Sequence, residues 1–411
     1  MGTVCLGVMA GVPKKISYIC IVYIHLHQTI MRKSLLAIAF VFLLSGCSKK
    51  QDSLLLSDEI IEEVNFEDIA TDVQVYRVKC SEPMKGIGMF QGIGDIIFGL
   101  SEDSHTIYWI KGDTVIAKLD KYGRGHGEYT WIEGFAYAQK DSILFIRTVD
   151  NRLMKYQGLE CKYIGETPDF PSAPTMQAIN SNTLLAHTYI DRGNNTGHHC
   201  LSLIDIETGN VIKEVCSMDN AQSLFFNRFL CQTGDSIIFI IPGPGKDDNQ
   251  LYLYYNDKLT NILSFRYDDK WRIPESVLVR QLPEGWKTDI DLAMKVHEMS
   301  SYRISETYCN GGEDIIASNG RLMFSSFYNR GHVVTNIIRD SDVKRVILSI
   351  PGLKDCIFPH LTSGDYYITV FDDGLGTPNE DESNLNPLGK RIQQEVKKSD
   401  GDPVFLKYRI K

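Results

Sequence analysis

The sequence predicts an all-β fold, a six-bladed β-propeller whose N- and C-terminal strands close the last blade, with one helical insertion between blades 4 and 5. Three observations predict it. Short segments with period-2 alternation recur in groups of four, separated by Gly, Asp and Asn turn signals. Comparable second strands begin near residues 96, 143, 184 and 237, intervals of 47, 41 and 53, which is the period range of propeller blades. The last group lacks one strand, and one strand near residue 75 belongs to no group.

The chain begins with targeting signals. Met31-Arg32-Lys33 is basic, Ser34 to Leu44 is an apolar run too short to span a bilayer, and Leu44-Ser45-Gly46-Cys47 places small residues before a cysteine. This order resembles a bacterial lipoprotein signal peptide (31–46), which implies acylation of Cys47 and a membrane partner reached through a lipid anchor rather than a span. Residues 1–30 then read as an upstream extension ahead of the true start. Residues 47–65, polar and acidic after Lys49-Lys50, read as a tether, and 66–411 as the propeller.

Composition narrows the function classes. A net charge of −9 and a pI near 5.6 argue against a nucleic-acid partner, which needs clustered Lys and Arg. With 43% apolar residues, 20 Tyr and 18 Phe, there is ample core material. Seven cysteines follow Cys47, an odd number without CxxC spacing, so neither a zinc site nor a full disulfide set is expected. No cofactor signature is present.

Each blade can be followed along the chain. Asp72 to Cys80 alternates Val73, Val75 and Val78 with polar residues and stands alone. Blade 1 runs from Ile87 to Leu119, broken by Gly94-Asp95 and Gly112-Asp113 turns. Blade 2 occupies Ile132 to Gly165, blade 3 Thr175 to Cys216 and blade 4 Leu224 to Tyr267. Between Trp271 and Asn310 the period breaks, and Ile290, Ala293, Met294 and His297 mark one helical face. Blade 5 runs from Ile315 to Ile350. Blade 6 has Cys356 to Leu361 and Tyr366 to Phe371, then an acidic loop, a helical stretch Pro387 to Lys397, and Val404 to Ile410. Pairing the lone N-terminal strand with the C-terminal one would complete the ring and remove sheet edges.

The Asp120-Lys121-Tyr122-Gly123 exit, the Gly127-Glu128-Tyr129 stretch and the terminal strand Asp402 to Lys411 together resemble the six-bladed β-propeller lipoproteins of Gram-negative gut anaerobes. That family is related in architecture to NHL-repeat and TolB-like propellers. Its members usually carry proline where this chain has His126. The resemblance implies fold and anchoring, and no catalytic residues can be carried over from it; the expected location is the cell envelope, lipid-anchored at the outer membrane and facing periplasm or surface.

Topology points to where a ligand would bind. In up-and-down blades, the connections from second to third strand and from one blade to the next share one face. That face receives Ser101 to His105, the Gly123 to Tyr129 loop, Asp191 to His199, Gly243 to Asn249, the helical insertion, Asn329 to Gly331 and Asp372 to Lys397. Ligand-binding candidates there are Arg124, His126, Glu128, Tyr129, Asp191, Arg192, His198, His199 and Arg330. A phosphate-loop reading of the glycines fails because no helix opens after them. A metal at His198-His199 is disfavoured because adjacent histidines on a strand face opposite ways and no third ligand is fixed by spacing. The expected function is a non-enzymatic envelope lipoprotein that binds a glycan, peptide or envelope protein. The alternative is a propeller hydrolase or lyase acting on glycans or lactones, with catalytic groups drawn from different blades.

Overall fold

The computed structural model describes residues 53–411 apart from 57–60, 83, 85, 191–197, 219–229, 234–235, 242–247, 270–293, 295–314, 319–320, 329–331, 340–341, 354–356, 372–383 and 400. The described strands fall into six sheets, one per blade. Blade 1 is Ile87–Ile93, Ile96–Ser101, Thr106–Lys111 and Thr114–Asp120, and blade 2 is Ile132–Ala138, Ile143–Thr148, Leu153–Gln157 and Lys162–Thr167. Blade 3 is Met176–Ala178, Thr183–Ile190, His198–Asp205 and Val211–Met218. Blade 4 is Leu230–Thr233, Ser236–Ile241, Asn249–Tyr255 and Lys258–Tyr267, and blade 5 is Ile315–Ser318, Arg321–Tyr328, His332–Arg339 and Asp342–Ser349. Of the predicted helical insertion, Ile290, Ala293 and His297 lie outside the described residues, while Met294 is helical and 64% exposed.

Turn chemistry explains why these strands fold back where they do. Gly94 and Gly112 take φ of +63° and +61° in two-residue hairpins closing Ile93 on Ile96 and Lys111 on Thr114. Asn256 and Asp257, both at positive φ, close Tyr255 on Lys258. Such mirror-image turns match the right-handed twist of the flanking strands.

Both faces of each blade meet a neighbour, so the middle strands are buried along their length; Ser236–Ile241 is buried at all six positions. Large side chains fill the seams. Phe98 and Trp109 of blade 1 meet Phe135 and Tyr137 of blade 2. Phe90 and Ile110 of blade 1 pack with Ile368 and Phe405 of blade 6, and Leu185 and Leu201 of blade 3 with Ile237 and Phe239 of blade 4. Each such fully buried side chain contributes roughly 1.5–3 kcal/mol. The first strands form the inner ring, with that of blade 2 against blade 3 and that of blade 6 against blade 1.

Closure is as expected. Blade 6 is ordered Leu361–Ser363, Tyr366–Phe371, Val404–Ile410 and Ala70–Arg77, the last two antiparallel with Val404 opposite Arg77 and Ile410 opposite Ala70. The helix Pro387–Lys397 also forms: Asn386 caps it by accepting from Gly389 N at 2.8 Å, Pro387 opens its first turn, and Leu388, Ile392 and Val396 pack into the blade 6 core.

The segment read as a tether departs from that expectation. Leu54–Leu56 adds a parallel fifth strand to the outer strand of blade 4, Leu54 opposite Phe265, and Ile61–Asn65 adds one to blade 5, Ile61 opposite Arg345. After Ala70–Arg77, Lys79 bridges Thr114 of blade 1, with Lys79 N donating to Asp113 O at 2.6 Å and Val115 N to Lys79 O at 2.9 Å. The N-terminal chain is thus a belt over the outer edges of blades 4, 5, 6 and 1. It satisfies edge backbone groups that would otherwise face water or another chain.

Candidate functional site

The best described part of the loop-rich face lies between blades 1 and 2. The loop from Lys121 to Tyr129 closes on itself: Gly123 N donates to Tyr129 O at 2.8 Å, Tyr129 N to Lys121 O at 3.1 Å, and Gly125 N to the Glu128 carboxylate at 2.7 Å. Gly127 has φ +71°, and a Cβ there would sit 2.9 Å from the Tyr163 ring, so this glycine is required twice over.

Tyr129 is fully buried, its hydroxyl 2.7 Å from the His105 carbonyl and 3.2 Å from that of Leu119, while accepting from Lys121 N at 3.2 Å. Burial pushes its pKa well up. Of the sequence candidates here, Tyr129 and Glu128 therefore turn inward to hold the loop. Arg124 and His126 are exposed, His126 with its ring 4.9 Å from that of Tyr163.

The second-to-third-strand loop of blade 1 is equally tied. Asp103 accepts from Ser101 Oγ at 2.5 Å and from His105 N at 3.1 Å, and Ser101 Oγ accepts from Thr106 N at 2.9 Å. That loop presents the His105 ring between two aromatics, Tyr122 with centroids 4.1 Å away and Trp131 at 5.8 Å, tilted by 39° and 32°. Asp103 Oδ2 lies 3.5 Å from His105 Nδ1. Tyr122 is 54% exposed and Trp131 48%, and exposed Val149 donates its backbone N–H to Trp131 O at 3.1 Å.

In blade 2 Arg147, 3% exposed, pairs with Glu133 at 2.7 Å and donates to Asn151 Oδ1 at 2.7 Å and to the carbonyls of Phe170 at 3.0 Å and Pro171 at 3.1 Å. These bonds tie the second-to-third-strand loop of blade 2 to the connection between blades 2 and 3. Large aromatics held in water by a rigid frame mark a surface that contacts something else.

Sequence reasoning selected the loop and missed these rings. Tyr122 and Trp131 border the selected stretch, and His105 ends another selected loop. Aromatics at a strand end read as core, so only their position on the decorated face could have singled them out.

Blade 3 carries the other histidines. His199 is half-buried, its ring 5.1 Å from that of His187, which the sequence reading did not select. Burial, then the neighbouring His199, lowers the His187 pKa to about 4, so His187 is neutral near pH 7. Asp191, Arg192, Arg330 and the His198 side chain lie outside the described residues; the His198 backbone pairs with Ile190. Among the described residues, no group of three or more His, Cys, Asp or Glu is placed to hold a metal ion. Among the described residues, Cys80, Cys161, Cys200, Cys216 and Cys231 form no disulfide.

No protein-family model matches the chain, and no curated protein matches it. Among solved structures it is similar to a candidate exported protein from Bacteroides fragilis, at 11% identity and a TM-score of 0.61, over 87% of this chain and 99% of that one. It is also similar to a member of the duf4221 family from Bacteroides vulgatus, at 11% identity and a TM-score of 0.47, over 83% and 97%. The chain is a six-bladed β-propeller. At such identities the likeness shows that fold alone.

Proposed function

We propose that the chain is a non-enzymatic cell-envelope lipoprotein, anchored through Cys47, that binds a glycan, peptide or protein partner on the loop-rich face of its propeller. The observation that carries the reading is the Tyr122, His105 and Trp131 array on its hydrogen-bonded base. The exposed Tyr122 and Trp131 rings can bury apolar area on a ligand while the phenol and indole N–H offer polar ends to it, with the part-buried His105 ring packed against both. The Tyr122 and His105 rings already lie against each other, which lowers the side-chain entropy that ordering them on a ligand would cost. The Met31 to Cys47 motif supports the anchor, and the export assigned to the Bacteroides fragilis neighbour agrees with it.

The test is thermal-shift and calorimetric screening of the chain from Ser48 against envelope glycans and peptides, since a ligand selective for the native state raises the melting temperature. A shift that disappears in Trp131→Ala supports the reading. A shift untouched by Trp131→Ala and Tyr122→Ala places binding elsewhere and sinks it.

A further inference from the structure

Large exposed aliphatics gather on the opposite face. Ile116, Leu159, Ile164, Ile179, Val211 and Ile212 all lie in or within three residues of the short turns of blades 1 to 3, with Ile212 57% exposed. Those turns join first to second and third to fourth strands, so they share the end away from Tyr122 and Trp131. No exposed large aliphatic occupies the corresponding turns of blades 4 to 6 among the described residues.

The belt brings the N-terminal chain toward the same end. Leu54 pairs with Phe265, seven residues above Lys258 at the base of the blade 4 outer strand. Cys47 precedes Leu54 by the same seven residues, and an extended chain covers about 3.3 Å per residue, or about 23 Å. Because that pairing is parallel, the chain followed backward from Leu56 to Leu54 heads toward the base of the outer strand. There Lys213, next to Ile212, donates to the Asp257 carbonyl at 3.4 Å, joining the blade 3 rim to the blade 4 turn.

Resting on the lipoprotein reading, we infer that the short-turn rim of blades 1 to 3 lies against the lipid surface that holds the Cys47 acyl chains. The loop-rich face is then turned away from the membrane, open to its partner. A lipid anchor is strengthened by a second contact, and interfacial aliphatics supply one through buried apolar area. Lys49 and Lys50, next to the acylated residue, add attraction for anionic headgroups.

The experiment uses the full chain made with its own leader, purified from membranes and placed in phosphatidylethanolamine and phosphatidylglycerol vesicles. Intact mass reports acylation, and hydrogen exchange is compared between vesicles and the soluble Cys47→Ser protein. Expected is a several-fold slowing of exchange at 157–164, 179–183 and 209–214 with none at 122–131, together with loss of that slowing in Ile164→Asp/Ile212→Asp. Acylated protein protected at 122–131, or at neither region, overturns the orientation and leaves the lipoprotein reading standing. Absence of the acyl mass overturns both.

Discussion

The Tyr129 hydroxyl lies 2.7 Å from the His105 carbonyl, and through this contact a buried residue in the blade 1 to blade 2 connection braces a part-buried one on the neighbouring loop. Tyr129→Phe leaves that carbonyl, the Leu119 carbonyl and the Lys121 N–H to find other partners. Such a loss costs about 1–3 kcal/mol. Urea unfolding should show it, with weaker ligand binding because His105 keeps its bond to Asp103 but loses the one to Tyr129. Unchanged stability would mean that water replaces the hydroxyl without penalty.

Trp131→Ala should behave oppositely. The side chain is half in water, so stability should stay within about 0.5 kcal/mol of the parent, while the ligand-induced thermal shift is lost. A large drop in melting temperature would make Trp131 a packing residue instead.

Acid should weaken the fold through His187. The folded state binds its proton only near pH 4, against an ordinary 6.5, so between those values the unfolded chain holds the extra proton. Stability from this group is complete above about 6.5 and declines as pH falls toward 4, by about 3 kcal/mol in all. His187→Phe should flatten the limb between pH 6.5 and 4 in a pH series of denaturant melts. Parallel curves for parent and variant would remove His187 from the account.

Ring closure makes its own prediction. Deleting Val404–Lys411 strips Ala70–Arg77 of the strand it pairs with in blade 6 and should abolish the single cooperative transition. Removing only residues up to Leu56 uncovers the blade 4 edge and should lower the melting temperature while keeping one transition. A C-terminally truncated protein that melts as sharply as the parent would refute the closure.

Much of this fold was legible because period-2 alternation and turn residues are local signals. Gly94-Asp95 and Gly112-Asp113 mark hairpins whose first residue takes a backbone angle few others adopt. The missing blade 6 strand could even be inferred by counting. The belt could not: Leu54–Leu56 and Ile61–Asn65 are short, bounded by no hairpin, and Glu62 and Glu63 look like solvated linker. Parallel additions to a finished edge depend on a partner hundreds of residues away. At the site, the glycine-rich loop was visible, but Tyr122 and Trp131 resemble core aromatics until their loops are placed, and Glu128 and Tyr129 resemble ligands until their bonds are traced.

Pairing Ala70–Arg77 with Val404–Ile410 also sets a clock for biosynthesis. The two partners are separated by roughly 330 residues, which a ribosome delivers on the order of half a minute after the first strand emerges. Throughout that interval the early strand has no sheet to join, and Leu54–Leu56 waits likewise for blade 4. The nascent chain therefore carries unpaired β-edges for most of its synthesis, and its yield in a cell depends on whatever keeps those edges apart until the last seven-residue strand arrives.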